Sequence, residues 1–132
     1  HIIKEIENDT IPFKFKQKHY SSIAAKHFTT VIDGMEMVFN LKDGTAIESK
    51  VEGIIICGKT GTAENPHGED HSIFIAFAPK ENPEIAIAVY VENGGWGSTW
   101  AAPISGLMIK KYTNNPIKKE LEEFILEGKI TE

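Results

Sequence analysis

Lys59, Thr60, Gly61 and Thr62 stand in a row inside the run GIIICGKTGTAENPHG, residues 53–68. A cation beside two hydroxyls can hold an anion, and the backbone beneath them decides which one. Gly53 to Thr60 fits G-x-x-x-x-G-K-[ST], the pattern of a phosphate-cradling loop. Such a loop needs amides presented by a flexible turn and a helix that opens at its Lys. Residues 54–57 are instead Ile, Ile, Ile and Cys, and the isoleucines are stiff at χ1 and favour a strand. Gly61, Asn65, Pro66 and Gly68 then follow too closely for a helix to run through them. The residues choose a strand over a phosphate loop.

On a strand, alternation sends Thr60 and Thr62 to one face and Lys59 and Gly61 to the other. Two neighbouring hydroxyls, a cation and a bare glycine make a seat for a peptide carboxylate. Gly61 lets another backbone come close, and a strand N–H can donate to a developing oxyanion. Taken alone, the letters K-T-G fit an ordinary surface strand with an exposed Lys better than a ligand site. His67, Glu69, Asp70 and His71 also cluster, but they read as a solvated connection between strands rather than a closed four-ligand metal site. Cys57 reads as a small buried residue, because a reactive thiol needs a cationic, exposed setting. Trp96 and Trp100 flank a glycine-rich turn and are expected to cap the end of a sheet, with a rim contacting glycan or a partner as the other reading.

The chain that positions these groups has 132 residues, enough for one core and too few for two ordinary domains. It is 41% hydrophobic and 25% charged, with 14 basic against 19 acidic residues and a net charge of -5. That balance, with no basic stripe, argues against a nucleic-acid partner. Cys57 is the single cysteine, so no internal disulfide can form. No apolar run approaches the roughly 20 residues that cross a bilayer. The opening HIIKEIEND starts on an apolar strand pattern with no leader, as if in mid-domain.

Residues 2–7 and 11–15 read as two short strands, and 21–39 as a helix with Ala24, Phe28, Val31, Met35 and Val38 on one face. Gly34 weakens that helix by roughly 1 kcal/mol relative to Ala and marks a place where it could break. Strands are expected at 53–62, 72–78 and 85–92; the last two are apolar on both faces, the pattern of a sheet covered on both sides. PKENPE joins them as a hairpin-type loop. A helix follows over 100–112, with Ile104, Leu107, Met108 and Tyr112 on one side. A last, acidic helix starts with Asn115 as cap and Pro116 at its first position; it presents Ile117, Leu121, Phe124 and Ile125 and closes at Gly128. The fold class is α+β: an antiparallel sheet with flanking helices.

GKTGTAE, then HSIFIAFAPKENPEIAIAVYVENGGWGS, then AAPI and a helix resemble the C-terminal part of the transpeptidase domain of penicillin-binding proteins, a fold shared with serine β-lactamases. K-T-G is one of three signatures of that superfamily, beside S-x-x-K and S-D-N. The likeness runs from about 53 to 112, and FTTVIDGMEMVFN with DGTA looks like the helix and turn before the K-T-G strand. VENGG followed by AAPI looks like the class B, elongation type (penicillin-binding protein 2). The resemblance implies that residues 1–132 are the C-terminal portion of such a domain. It implies that Lys59 stands at the active-site wall, that Thr60 and Thr62 bind the substrate carboxylate, that Thr62 N–H completes the oxyanion hole, and that Gly61 keeps the strand flat against the ligand. The implied reaction is serine acyl transfer on D-Ala-D-Ala stem peptides, inhibited by β-lactams, with no cofactor and no metal.

Neither S-x-x-K nor S-x-N occurs in the chain; Ser22 to Lys26 has one residue too many. The nucleophile is therefore expected upstream of His1, in a longer protein anchored by a transmembrane helix on the extracytoplasmic face of the bacterial inner membrane. The chain alone is expected to be inactive and to self-associate through an uncovered sheet face or edge. The implied partners are stem peptides, β-lactams and a membrane glycosyltransferase of the elongation machinery. A non-catalytic β-lactam or peptide sensor domain of the same fold is the alternative.

Overall fold

A computed structural model describes residues 17, 20–114 and 119–128, and for Leu121 the backbone only. The strands expected at 2–7 and 11–15, and the cap at Asn115 with Pro116 and Ile117, lie outside the described residues. The described elements are α1 (Ala25–Asn40), a 3-10 turn (Ile47–Ser49), β1 (Cys57–Ala63), β2 (His71–Ala78), β3 (Ile85–Val91), α2 (Ala101–Tyr112) and α3 (Lys119–Glu127). The strands form one antiparallel sheet in the order β1-β2-β3.

Helix α1 begins four residues later than its apolar periodicity suggests. Ser21 Oγ accepts from Ile23 N–H at 3.1 Å, a local bond that offers the backbone an alternative to the helix. The helix then runs unbroken through Gly34 to Asn40. Its expected inner face is only partly right. Phe28 and Val31 are exposed, and the one fully buried residue is Phe39, whose ring meets that of Phe74 edge-on at 5.5 Å. Residues 21–31 are exposed throughout, so only the C-terminal half of α1 has sheet beneath it. There Lys80 Nζ bonds Asp33 Oδ1 at 2.8 Å and Glu36 Oε2 at 2.6 Å, tying the end of β2 to α1. The two carboxylates hold the Lys80 amine above the ordinary lysine range.

Strand β1 starts at Cys57 rather than at 53. Its partner β2 ends at Ala78, and Pro79, opposite Ile55, has no N–H for the ladder; Lys80 N–H bonds Ile55 O at 2.9 Å in its place, outside regular strand pairing. Gly53 turns with φ +78°, in the left-handed region that glycine enters freely. The connection from β2 to β3 is the expected hairpin, with Ala78 paired to Ile85 and Glu84 N–H donating to Ala78 O at 2.9 Å.

The sheet is packed on one face. Ser72, Phe74, Ala76 and Ala78 are buried, while on the opposite face Ile75 is 48% and Tyr90 54% exposed. Cover on both faces is therefore not seen among the described residues. The helix over the packed face also departs from its expected stripe. Met108 and Tyr112 are exposed, and α2 buries Ala101, Ala102, Ser105, Gly106 and Ile109 instead. Small residues let the helix axis approach closely; a Cβ on Gly106 would stand 2.7 Å from Ser49 O. Phe124 of α3 stacks on Trp100 at 5.5 Å, and Gly128 closes α3 with its N–H on Phe124 O. Trp100 thus packs on α3, and Trp96 is 74% exposed.

Candidate functional site

The residues singled out from sequence sit on β1, the edge strand among the described residues. The register pairs Thr60 with Phe74 and Thr62 with Ser72, and Lys59 with Ile75 and Gly61 with Ile73. Because Cβ directions alternate, both threonines share the face of Phe74 and Ser72, while Lys59 and Gly61 share the face of Ile75. A fork of three groups on one face is therefore not what the strand itself provides. The Lys59 side chain makes up the difference by curling along the strand: its Nζ donates to Thr60 O at 2.7 Å and lies 3.5 Å from Thr60 Oγ1.

That contact also fixes which way the peptide groups point. A lysine amine reaches Thr60 O because this carbonyl faces the open edge rather than β2. In an antiparallel strand the N–H and C=O of one residue point to the same side, and every second residue repeats the direction. Thr60 and Thr62 therefore turn their N–H groups outward, and Lys59 and Gly61 bond inward to β2. The open edge thus gathers a cation, two hydroxyls and two outward N–H donors. Beside it, a cleft of about 430 Å3 is lined by Met37, Val38, Leu41, Lys42, Thr45 and Lys59, among others.

Three close contacts seat the strand. A Cβ on Gly58 would stand 2.7 Å from Phe74 Cζ and 2.9 Å from Phe39 Cε2, so the two rings rest directly on the backbone before Lys59. On the far side of the site, Gly97 packs against Gly61 and Ile73; a Cβ there would fall against Gly61 O and 2.5 Å from Ile73 O. The loop that carries Gly97 is tied down by Ser72, a fully buried residue. Its hydroxyl donates to Trp96 O at 2.9 Å and accepts from Ala101 N–H at 3.1 Å, which caps α2 from another element. Thr45, in the turn after α1, bonds Thr60 Oγ1 through its own Oγ1 at 3.1 Å. Sequence reasoning singled out none of Thr45, Ser72 and Gly97. DGTA, HSIFIAFA and NGGWGS, which contain them, stood in the stretches that carried the resemblance, but a contact across sequence separations of 15 or more has no local signature.

The other candidates serve structure here. His71 Nδ1 accepts from Asn93 N–H at 3.1 Å, and Asp70 Oδ1 accepts from Asn65 N–H at 3.2 Å. Together with the bond from Asn65 Nδ2 to Asn93 Oδ1, these ties hold the β1–β2 connection against the turn after β3. Cys57 is buried, and burial pushes its thiol pKa up. No described helix is long and apolar enough to cross a membrane.

Residues 1–110 match the penicillin binding protein transpeptidase domain family. The peptidoglycan D,D-transpeptidase PbpA of Mycobacterium tuberculosis is 36% identical over 112 residues, which is 76% of this chain and 21% of the relative. The structure of Pseudomonas aeruginosa PBP2 in complex with WCK 5153 superposes with a TM-score of 0.60 at 36% identity, covering 70% of this chain and 21% of that one. Helicobacter pylori PBP2, solved in complex with MreC, gives a TM-score of 0.58 at 35% identity over 67% of this chain and 17% of its own. The chain spans about one fifth of the length of the curated relative it matches.

Proposed function

The chain belongs to the penicillin-binding protein transpeptidase family, elongation type, and from that premise we propose that residues 1–132 form the C-terminal portion of a peptidoglycan D,D-transpeptidase domain. Its contribution is the strand that binds the substrate's terminal carboxylate and stabilises the acyl-transfer transition state. The observation that carries this reading is the open edge of β1, where the Lys59 amine lies against Thr60 and the peptide groups of Thr60 and Thr62 face outward.

A D-Ala-D-Ala stem peptide laid along that edge adds to it as an antiparallel strand would, and Gly61 leaves its path clear. The terminal carboxylate accepts from the Thr60 and Thr62 hydroxyls, and the Lys59 ammonium supplies the potential that draws it in. A serine of an S-x-x-K motif, contributed by another part of the whole protein, attacks the penultimate D-Ala carbonyl. Negative charge then develops on the carbonyl oxygen, where the outward Thr62 N–H donates to it; such a donor is worth about 10²–10³ in rate. The amide bond breaks, D-Ala leaves with a proton, and an amine of a neighbouring stem peptide resolves the acyl-enzyme. β-Lactams mimic the donor and form a slow acyl-enzyme. The parent works on the extracytoplasmic face of the bacterial inner membrane, anchored there by an upstream helix, beside a membrane glycosyltransferase of the elongation machinery.

Acylation by a labelled penicillin tests the reading. In the whole protein, Lys59→Ala lowers the acylation rate by about 10²-fold or more with its melting temperature preserved. The 132-residue chain alone forms no covalent adduct by mass spectrometry. An unchanged rate in the variant overturns the role of Lys59, and a one-to-one adduct on the isolated chain overturns the assignment of the nucleophile to the rest of the protein.

A further inference from the structure

We propose that Thr45 is a positioning residue that sets the direction of the Thr60 hydroxyl and so makes the site selective for a carboxylate; this rests on the carboxylate-binding role of Thr60 proposed above. A threonine hydroxyl carries one proton and two lone pairs. Free to rotate, it offers a ligand either a donor or an acceptor, and a carboxylate is rewarded only by the donor.

Two neighbours decide which is offered. Lys59 Nζ, a donor with nothing to accept through, lies 3.5 Å from Thr60 Oγ1. Thr45 Oγ1 lies 3.1 Å from the same atom. Either hydroxyl of this pair can supply the proton between them; in the proposed arrangement, the lysine donates into one lone pair of Thr60 and Thr45 into the other, which leaves Thr60 no acceptor capacity. Its proton then has one direction remaining, outward to the ligand. The chain Thr45→Thr60→carboxylate is a relay of donors in which each bond polarises the next.

Thr45 is held well enough to do this. Its turn closes on α1 through Gly44 N–H to Leu41 O at 2.9 Å, Ala46 N–H to Val38 O at 3.0 Å and Ile47 N–H to Gly44 O at 3.2 Å. Gly44 lies flat on the helix end, where a Cβ would stand 2.5 Å from Val38 O, and Ala46 is buried. The helix end is in turn fixed to the sheet by Phe39 on Phe74. The hydroxyl of Thr45 therefore approaches Thr60 from a framed turn, although its side chain is exposed.

The test is made in the whole protein, comparing acylation by a β-lactam with a free carboxylate against acylation by its methyl ester. The ratio of the two rates reads carboxylate recognition and is insensitive to how much protein is folded. Thr45→Val keeps the shape and removes the donor; it is expected to lower the acid-to-ester ratio about tenfold, through weaker binding before acylation rather than a slower chemical step. Thr45→Ser restores the donor and returns the ratio to within about twofold of the parent. Thr60→Val is the control for the underlying reading and lowers the ratio at least as far. An unchanged ratio in Thr45→Val, with a loss in Thr60→Val, overturns the positioning role alone. Equal losses in Thr45→Val and Thr45→Ser overturn it too, since the methyl and not the hydroxyl would then matter. An unchanged ratio in Thr60→Val overturns the carboxylate site itself.

Discussion

Replacing Gly97 by Ala disturbs the site by pressing on the backbone of its strand, without altering any side chain proposed to meet a ligand. The added Cβ would fall against Gly61 O, 2.5 Å from Ile73 O and 2.9 Å from Gly61 N. All three are main-chain atoms of the paired residues Gly61 and Ile73, so no side chain can swing aside. Ordinary contact begins near 3.4 Å, and the loop must therefore retreat by about 1 Å; overpacking of this kind costs about 1–3 kcal/mol. The retreat also stretches the bond from Ser72 Oγ to Trp96 O and weakens the cap on Ala101 N–H, adding about 1 kcal/mol. The sum is about 2–4 kcal/mol. Calorimetry of the whole protein reads this as a fall of roughly 4–16 °C in the transition containing this segment, at roughly 2–4 °C per kcal/mol. Gly95→Ala is the matched control. Its Cβ meets nothing within 4 Å, and only its φ of +65° is unfavourable, at a cost of about 1 kcal/mol. Should Gly97→Ala melt with the parent, or above Gly95→Ala, the close approach of this loop to the K-T-G strand is wrong.

Gly34→Ala acts in the other direction: mid-helix, with open space around its Cβ, it stabilises by about 0.5–1 kcal/mol, and a lowered melting temperature would show that α1 does not run through this point. Phe39→Ala removes a buried ring seated on Phe74 and Gly58; denaturant titration should show a loss of about 3–5 kcal/mol, and a loss under 1 kcal/mol would contradict the packing of α1 on the sheet. The isolated 132-residue chain, with Ile75 and Tyr90 exposed on one sheet face and β1 open at its edge, self-associates at micromolar concentration in the ultracentrifuge. A clean monomer that binds no hydrophobic dye would refute that expectation.

Much of this architecture is written locally. SIFIAFA and IAIAVYV are dense in β-formers and bounded by turn residues, so both strands and the hairpin between them are legible. Reading the phosphate-loop pattern as a strand instead rested on the same local logic, and β1 vindicates it from Cys57 onward. What the sequence conceals is set by partners. Ile54–Ile56 have strand composition, but opposite Ile55 the register meets Pro79, and a single bond from Lys80 N–H to Ile55 O at 2.9 Å stands where the ladder would continue. The buried side of α2 is its small-residue side, because close approach to the sheet and, at Gly106, to Ser49 of the 3-10 turn selects Ala101, Ala102, Ser105 and Gly106 over the bulkier Leu107 and Met108. Hydrophobic periodicity weighs size and cannot anticipate that choice. Lys59 and the threonines were legible as chemistry, but alternation put them on opposite faces, and only the curl of Lys59 toward Thr60 brings amine and hydroxyl together. The support from Thr45, Ser72 and Gly97 arises from tertiary contact alone.

A crystal structure of the whole protein acylated by a carboxylate-bearing β-lactam would show whether the outer edge of β1 seats a carboxylate. The expected result is carboxylate oxygens about 3 Å from Thr60 Oγ1 and Thr62 Oγ1, the ester carbonyl oxygen on Thr62 N–H, and the Thr45–Thr60 bond intact. A carboxylate held by other residues, with both threonines turned away from it, would mean that the outer edge of β1 is not the carboxylate site.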